Sequence, residues 1–177
     1  MATGKARSTP AVDGDEFAPV VAQLDIPMVV VTTAAGGERS GCLVGFHSQS
    51  SIDPIRYCVW ISKANHTCGV IIRATHFAVH FLSDQDHGLA ELFGGSTGDT
   101  VDKFAHVDLS VGVGETPIIN RCSNFLIARR TALVDEGGDH VCIIGEPVAV
   151  EFTPFVPLRI SRVADVTPGH AADDLPT

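Results

Sequence analysis

The sequence predicts a mainly β fold, an antiparallel β-barrel with helical insertions. Runs of β-branched and alternating residues are joined by short Gly- and Pro-bearing turns, the pattern of hairpins. Helical stretches are few and short, whereas a doubly wound parallel sheet needs a long helix between successive strands. A chain of 177 residues with 45% hydrophobic content suffices for one domain with a sizeable core. We place that domain over residues 13–160, between a disordered N-terminal tail (1–12) and a C-terminal tail (161–177).

Asp13–Leu24 reads as a short amphipathic helix carrying Phe17, Val20, Val21 and Leu24 on one face, with Asp13 or Asp15 as N-cap and Pro19 limiting its length. Met28–Thr33 (MVVVTT) is a buried strand, and Ala34–Glu38 is a hairpin turn in which Gly36 and Gly37 supply positive φ. Arg39–His47 returns as the second strand. The polar stretch Ser48–Asp53 leaves the ladder, which Asp53-Pro54 interrupts. Arg56–Ser62 is the third strand, with Tyr57, Val59 and Ile61 on one face and Cys58 and Trp60 on the other. A short helix over Thr67–Ala74 buries Val70, Ile71 and Ala74. His76–Leu82 is the fourth strand, and Asp86–Phe93 is a helix ended by Gly94-Gly95. Ser96–Val107 is a polar excursion. Cys122–Val134 and Val141–Phe152 are long strands joined by the turn Asp135–Asp139, and the Pro-rich segment from Pro154 is an arm that packs on a neighbour or frays. The count is about six or seven strands with two or three short helices.

Composition narrows the function. Lys and Arg number 12 against 21 Asp and Glu, a formal charge of -9, which excludes a broad nucleic-acid or anionic-membrane surface. Five cysteines without a CxxC pair fit neither a disulfide framework nor a structural zinc site, and in apolar runs they read as small buried hydrophobes. His76 and His80 have no third ligand at metal spacing, so no metal site is expected. The opening MATGKARSTPAVDGD lacks the apolar core of a signal peptide, and no apolar run is long enough to span a bilayer. A cytoplasmic location is expected. GxSxG, HExxH and P-loop motifs do not occur, and Gly112-Val113-Gly114 lacks the strand-to-helix setting of a nucleotide fingerprint.

Three stretches carry candidate chemistry. Ser62-Lys63-Ala64-Asn65-His66-Thr67 links a strand end to a helix start, where backbone N–H groups, short side-chain donors and one cation suit a terminal phosphate. An ordinary capped helix, with Asn65 or Thr67 as N-cap and Lys63 solvated, explains the same residues. Phe46-His47-Ser48-Gln49-Ser50-Ser51 follows a hydrophobic strand and offers backbone groups to the edge of a flat heterocycle, or else forms a plain β-bulge. Asp139-His140 opens a strand after a Gly-Gly turn, where the histidine either touches a ligand or bonds to the turn.

Five patterns in one order, Gly41–Pro54, Ser62–Thr67, Phe77–Leu82, Asp102-Lys103-Phe104 and Gly138-Asp139-His140 with Gly145-Glu146, resemble the flavin reductase family with the FMN-binding split β-barrel fold. The resemblance spans Ile26–Val150. It implies an NAD(P)H:flavin oxidoreductase that moves hydride from C4 of NADH or NADPH to N5 of FMN or FAD. His47, Ser48, Gln49 and Ser50 would line the ring and ribityl edge. Ser62, Lys63, Ala64, Asn65 and Thr67 would hold the phosphate. Phe81, Leu82 and Ser83 would flank the ring, and His140 would stand near the nicotinamide. Phe93, Lys103 and Phe104 would close the site from the partner of a homodimer. A monooxygenase component that takes reduced flavin is the implied partner. Leu43 and Gly45 replace frequent hydroxyl residues, Gln49 a Ser, Ile55 a Pro and His80 an Asn. A flavin or haem binder without turnover and a deazaflavin-dependent oxidoreductase are the alternatives on the same fold.

Overall fold

The structure, a computed structural model, describes residues 11–98 and 101–169. Most of the predicted N-terminal tail and the last eight residues of the C-terminal one lie outside that range. Asp13 caps the first helix, α1 (Gly14–Ala22), by accepting the Asp15 N–H at 3.0 Å. The strands that follow are β1 (Val29–Ala35), β2 (Glu38–Val44), β3 (His47–Ile52) and β4 (Ile55–Ser62). After α2 (His66–Ile71) come β5 (His76–Phe81), α3 (His87–Gly95), and the short strands β6 (Leu109–Val111) and β7 (Pro117–Ile119). The long hairpin β8 (Phe125–Val134) and β9 (His140–Glu151) completes the set.

Seven strands form one antiparallel sheet in the order β2-β1-β5-β8-β9-β4-β3. Its two edges, β2 and β3, are consecutive in the chain and joined only by Gly45-Phe46. In a flat sheet those edges would stand about 29 Å apart, whereas the step from Val44 to His47 spans at most about 10 Å. The sheet therefore curls into a barrel, and its seam lies between β2 and β3.

Alternation along the strands fills the barrel. Val29 and Val31 of β1, Val59 and Ile61 of β4, Phe77 and Val79 of β5, and Val141 and Ile143 of β9 share one interior cluster with Cys68 and Ile71 of α2, which plugs one end. A second cluster covers the outer face of β1, where Met28 and Val30 meet Leu89 and Phe93 of α3, Phe104, Leu158 and Val163. Gly145 is a packing requirement. A Cβ there would lie 2.7 Å from Cβ of Ala128 and 2.8 Å from two ring atoms of Phe77. Gly145→Ala is expected to destabilise the fold by about 1–3 kcal/mol. Denaturant unfolding at neutral pH checks this, and an unchanged midpoint would contradict the packing.

The structure corrects several sequence expectations. Ser48–Ile52 stays in the ladder as part of β3, and the second strand stops at Val44. An edge strand tolerates polar side chains because one side of its backbone and much of its surface face water. A register shift leaves Ser50 unpaired, so the β-bulge is present within the strand. The pair β6–β7, too short for any periodicity, lies between the polar excursion and the Cys122 strand, where the sequence assigned no element. The helix α1 ends at Ala22, short of Leu24; its Phe17 and Val20, and Leu24 beyond it, are exposed, and no residue of the helix is buried. The arm after Pro154 packs on its own barrel: Met28 donates to Leu158 O at 2.7 Å and Leu158 to Leu82 O at 2.9 Å. Among the described residues no helix is long and apolar enough to cross a membrane. All five cysteines are free thiols, four of them buried. Burial pushes Cys42 and Cys122 up to about 11, so these thiols stay protonated at neutral pH.

Candidate functional site

β4 ends at Ser62, directly across from His140 at the start of β9. The chain then turns tightly. Asn65 N–H donates to Ser62 O at 3.0 Å, and Lys63 N–H reaches across to Asp139 O at 2.8 Å. Asn65 caps α2, its Oδ1 accepting the Thr67 N–H at 3.1 Å. These bonds leave a defined donor set: among the described residues the Ser62 hydroxyl, the Ala64 N–H and Asn65 Nδ2 donate to no protein group. Lys63 is not simply solvated. Its Nζ lies 2.8 Å from Asp135 Oδ1, and this bond holds the Asp135 carboxyl below the usual carboxylate range.

His140 is half-buried beside this turn. Its Nδ1 lies 2.9 Å from Asp139 Oδ1, and its ring meets Phe46 edge-on with centroids 5.3 Å apart. The contact with His140 lowers the Asp139 carboxyl below its ordinary value. Nε2 has no protein partner among the described residues. Phe46 is half exposed and lies in the link between the two barrel edges, so it brings the seam to His140.

The strand β3 contributes backbone. Trp60 N–H bonds to Phe46 O at 2.9 Å, which sets the alternation of the β3–β4 ladder. Phe46 and Ser48 therefore aim their peptide groups at β4, and His47 and Gln49 present theirs to the open seam. The His47 side chain is occupied elsewhere. Nε2 is 3.0 Å from Pro27 O, a pure acceptor, so Nε2 carries the proton and Nδ1 accepts from Tyr57 OH at 2.7 Å. Burial keeps this ring neutral by pulling its pKa down, and pushes Tyr57 up to about 12.

The structure does not bring every predicted site residue to the turn. Thr67 is fully buried, with its hydroxyl 3.0 Å from that of Ser40. Phe81 packs edge-on against Tyr57 and His47. Leu82 is fully buried in the second cluster, and the Ser83 hydroxyl donates to Asp86 at 2.6 Å. Phe93, Lys103 and Phe104 stand together against the protomer's own β2, where Lys103 Nζ donates to Gly41 O at 3.2 Å and Phe93 O at 3.1 Å. They line or back a cleft of about 460 Å³ with Arg39, Ser40 and His66. His66 there is 2.8 Å from Glu38.

Sequence reasoning missed Asp135 and Tyr57, and it included Phe46 in the candidate run only for its backbone, not for its ring. Asp135 lies 72 residues from the lysine it holds, and only the cross-strand pair Ser62–His140 reveals that its loop returns to the turn. Phe46 carried a signal, an aromatic residue between two strand edges, that periodicity alone does not interpret.

With this geometry in view, comparison with known proteins gives a consistent result. Residues 22–157 match the family described as Flavin reductase like domain. An NADH:riboflavin 5'-phosphate oxidoreductase of Streptomyces pristinaespiralis is 30% identical over 149 residues, covering 80% of this chain and 79% of that one. The reductase component of a flavin-dependent trigonelline monooxygenase from Acinetobacter baylyi is 26% identical over 152 residues, covering 84% of this chain and 48% of that one. The flavin reductase PheA2, solved in its native state, shares the fold with a TM-score of 0.72 and 24% identity, over 84% of this chain and 93% of that one. The chain belongs to the flavin reductase-like family, with its FMN-binding split-barrel fold. It spans about half the length of the first curated relatives it matches, 44% and 48% of theirs.

Proposed function

We propose that this chain is an NAD(P)H:flavin oxidoreductase whose flavin lies along the barrel seam, with its phosphate at the Ser62–Asn65 turn. The observation that carries the reading is the convergence of an unpaired donor set, a lysine and a half-buried histidine at one end of an open strand edge. The donor chemistry fits. The Ser62 hydroxyl, Ala64 N–H, Asn65 Nδ2 and Lys63 ammonium suit phosphate oxygens, and none of them is an acceptor-only group that would repel an anion. The seam-facing peptide groups of His47 and Gln49 suit the donor and acceptor edge of a flat heterocycle, flanked by Ser48 and the bulged Ser50.

A flavin held there, FMN or FAD, supplies the redox chemistry by accepting at N5 a hydride from C4 of NADH or NADPH. The chain's own part is to bind, orient and exclude water. Phe46 and His140 form a wall beside the turn, with the Asp139 carboxylate 2.9 Å from Nδ1 of the imidazole. Buried Thr67 and Leu82 and the engaged Ser83 act behind the site, holding the turn and the β5 end in place. Phe81 backs the seam behind His47 and Tyr57, and Phe93, Lys103 and Phe104, buried against their own β2, shape that strand rather than reach across to a partner's site. The exposed apolar residues of α1 and of the β9 end, Phe17, Val20, Leu24, Val150 and Phe152, favour a homodimer. A monooxygenase component that consumes reduced flavin is the partner class that the trigonelline relative suggests, and we read the location as cytoplasmic.

Oxidation of NADH or NADPH on adding FMN or FAD tests this reading; a coloured complex that leaves the nicotinamide unoxidised would mark a binder instead. His140→Ala is expected to lower kcat by up to about 100-fold with FMN affinity unchanged. A merely structural role would move both, and unchanged kinetics would remove His140 from the mechanism.

A further inference from the structure

We propose that Asp135 competes with the flavin phosphate for Lys63, which makes the flavin an exchangeable substrate rather than a permanently held group. The proposal rests on the flavin reading above. The Asp135 carboxylate is built into position: the same Oδ1 that meets Lys63 Nζ at 2.8 Å also accepts the Gly137 N–H at 2.8 Å. Its loop is tied to the turn by the bond from Lys63 N–H to Asp139 O. Three carboxylates, Asp135, Glu136 and Asp139, therefore accompany one lysine within this loop.

The charge consequence is direct. Lys63 is already compensated before any phosphate arrives, so a dianion must share the ammonium with Asp135 or displace it. Most of the affinity then comes from the neutral donors of Ser62, Ala64 and Asn65, which lack the added attraction between full opposite charges that an uncompensated ammonium would supply. The pair is open to water, with side chains 25% and 46% exposed, so exchange between the two anions needs no rearrangement of the core. A weakly held phosphate suits a protein that hands reduced flavin to another enzyme.

Asp135→Asn tests the proposal because the amide keeps the Oδ1 acceptor for Gly137 and removes only the charge. Both proteins are titrated with FMN and with riboflavin, which has no phosphate, following flavin fluorescence at fixed ionic strength. The variant is expected to bind FMN roughly three- to tenfold more tightly, with riboflavin unchanged. In Lys63→Met/Asp135→Asn the gain should disappear. Equal FMN affinity in wild type and Asp135→Asn would overturn the proposal and leave the flavin reading standing. An equal gain for riboflavin would overturn it as well, since the loop rather than the charge would then be responsible. Wild-type protein that binds neither flavin would overturn the flavin reading and this proposal with it.

Discussion

Lys63→Met is expected to weaken FMN binding by about tenfold to a hundredfold while leaving riboflavin affinity nearly unchanged. Methionine keeps the aliphatic stem of the side chain and removes its charge. A hydrogen bond from a charged donor to phosphate is worth about 1.5–3 kcal/mol, which sets that range. The substitution also leaves Asp135 without its cation, beside the position assigned to the phosphate. Repulsion then adds to the lost attraction. Folding should be little affected, because the Lys63–Asp135 pair is exposed to solvent. Parallel titrations with FMN and riboflavin, with a thermal melt on the same samples, make the measurement. Equal losses for both flavins would place the effect on the ring site, and no loss for FMN would move the phosphate away from this turn.

The second large effect is on stability in acid and comes from His80. This residue is fully buried on the outer face of β5, beneath the β6–β7 pair, with Nε2 3.1 Å from Thr32 Oγ1. Thr32 spends its one hydroxyl proton on Pro117 O at 2.6 Å, so its oxygen accepts from Nε2–H and the tautomer is settled. Nδ1 is left as a lone pair with no donor. Protonating it would create a buried charge and an N–H with no acceptor, and burial accordingly pulls His80 down from 6.5 to about 4.

Below pH 6.5 the unfolded chain takes up a proton at this position that the folded chain refuses, so stability falls with falling pH until the folded group also titrates near 4. The full loss is about 3 kcal/mol. Denaturant midpoints of wild type and His80→Asn, followed from neutral pH down to about 4, isolate this contribution, since carboxylates titrate in both proteins. The variant loses imidazole packing at every pH, yet its acid limb should be shallower. Parallel limbs would show that His80 is not responsible.

Much of the barrel was legible in the sequence because its strongest signals are local. The run from Val29 to Thr33 followed by Gly36-Gly37 gave the β1–β2 hairpin, and both glycines carry positive φ, 61° and 82°. The β8–β9 pair was equally plain, with two long β-rich runs about a Gly-Gly loop. The errors have physical causes. β3 is an edge strand, so its polar residues carry no inside-outside pattern to read. The strands β6 and β7 are three residues each and give no periodicity. The apolar face of α1 was visible as well, but amphipathicity does not say what covers it, and that face is exposed here.

The candidate site divides in the same way. The turn Ser62–Asn65 and the pair Asp139-His140 were each visible as motifs, but their meeting depends on the β4–β9 register. Thr67 and Leu82 are fully buried and the Ser83 hydroxyl is bonded to Asp86, packing that sequence alone does not reveal. Asp135 was invisible because its partner is remote in sequence.

Anaerobic mixing of the protein and FMN with NADH or NADPH tests directly whether hydride passes from a reduced nicotinamide to a flavin held at the seam. The nicotinamide absorbance and the yellow absorbance of oxidised flavin are expected to disappear together, in equal amounts, and far faster than without protein. Retention of both absorbances with FMN demonstrably bound would contradict that transfer.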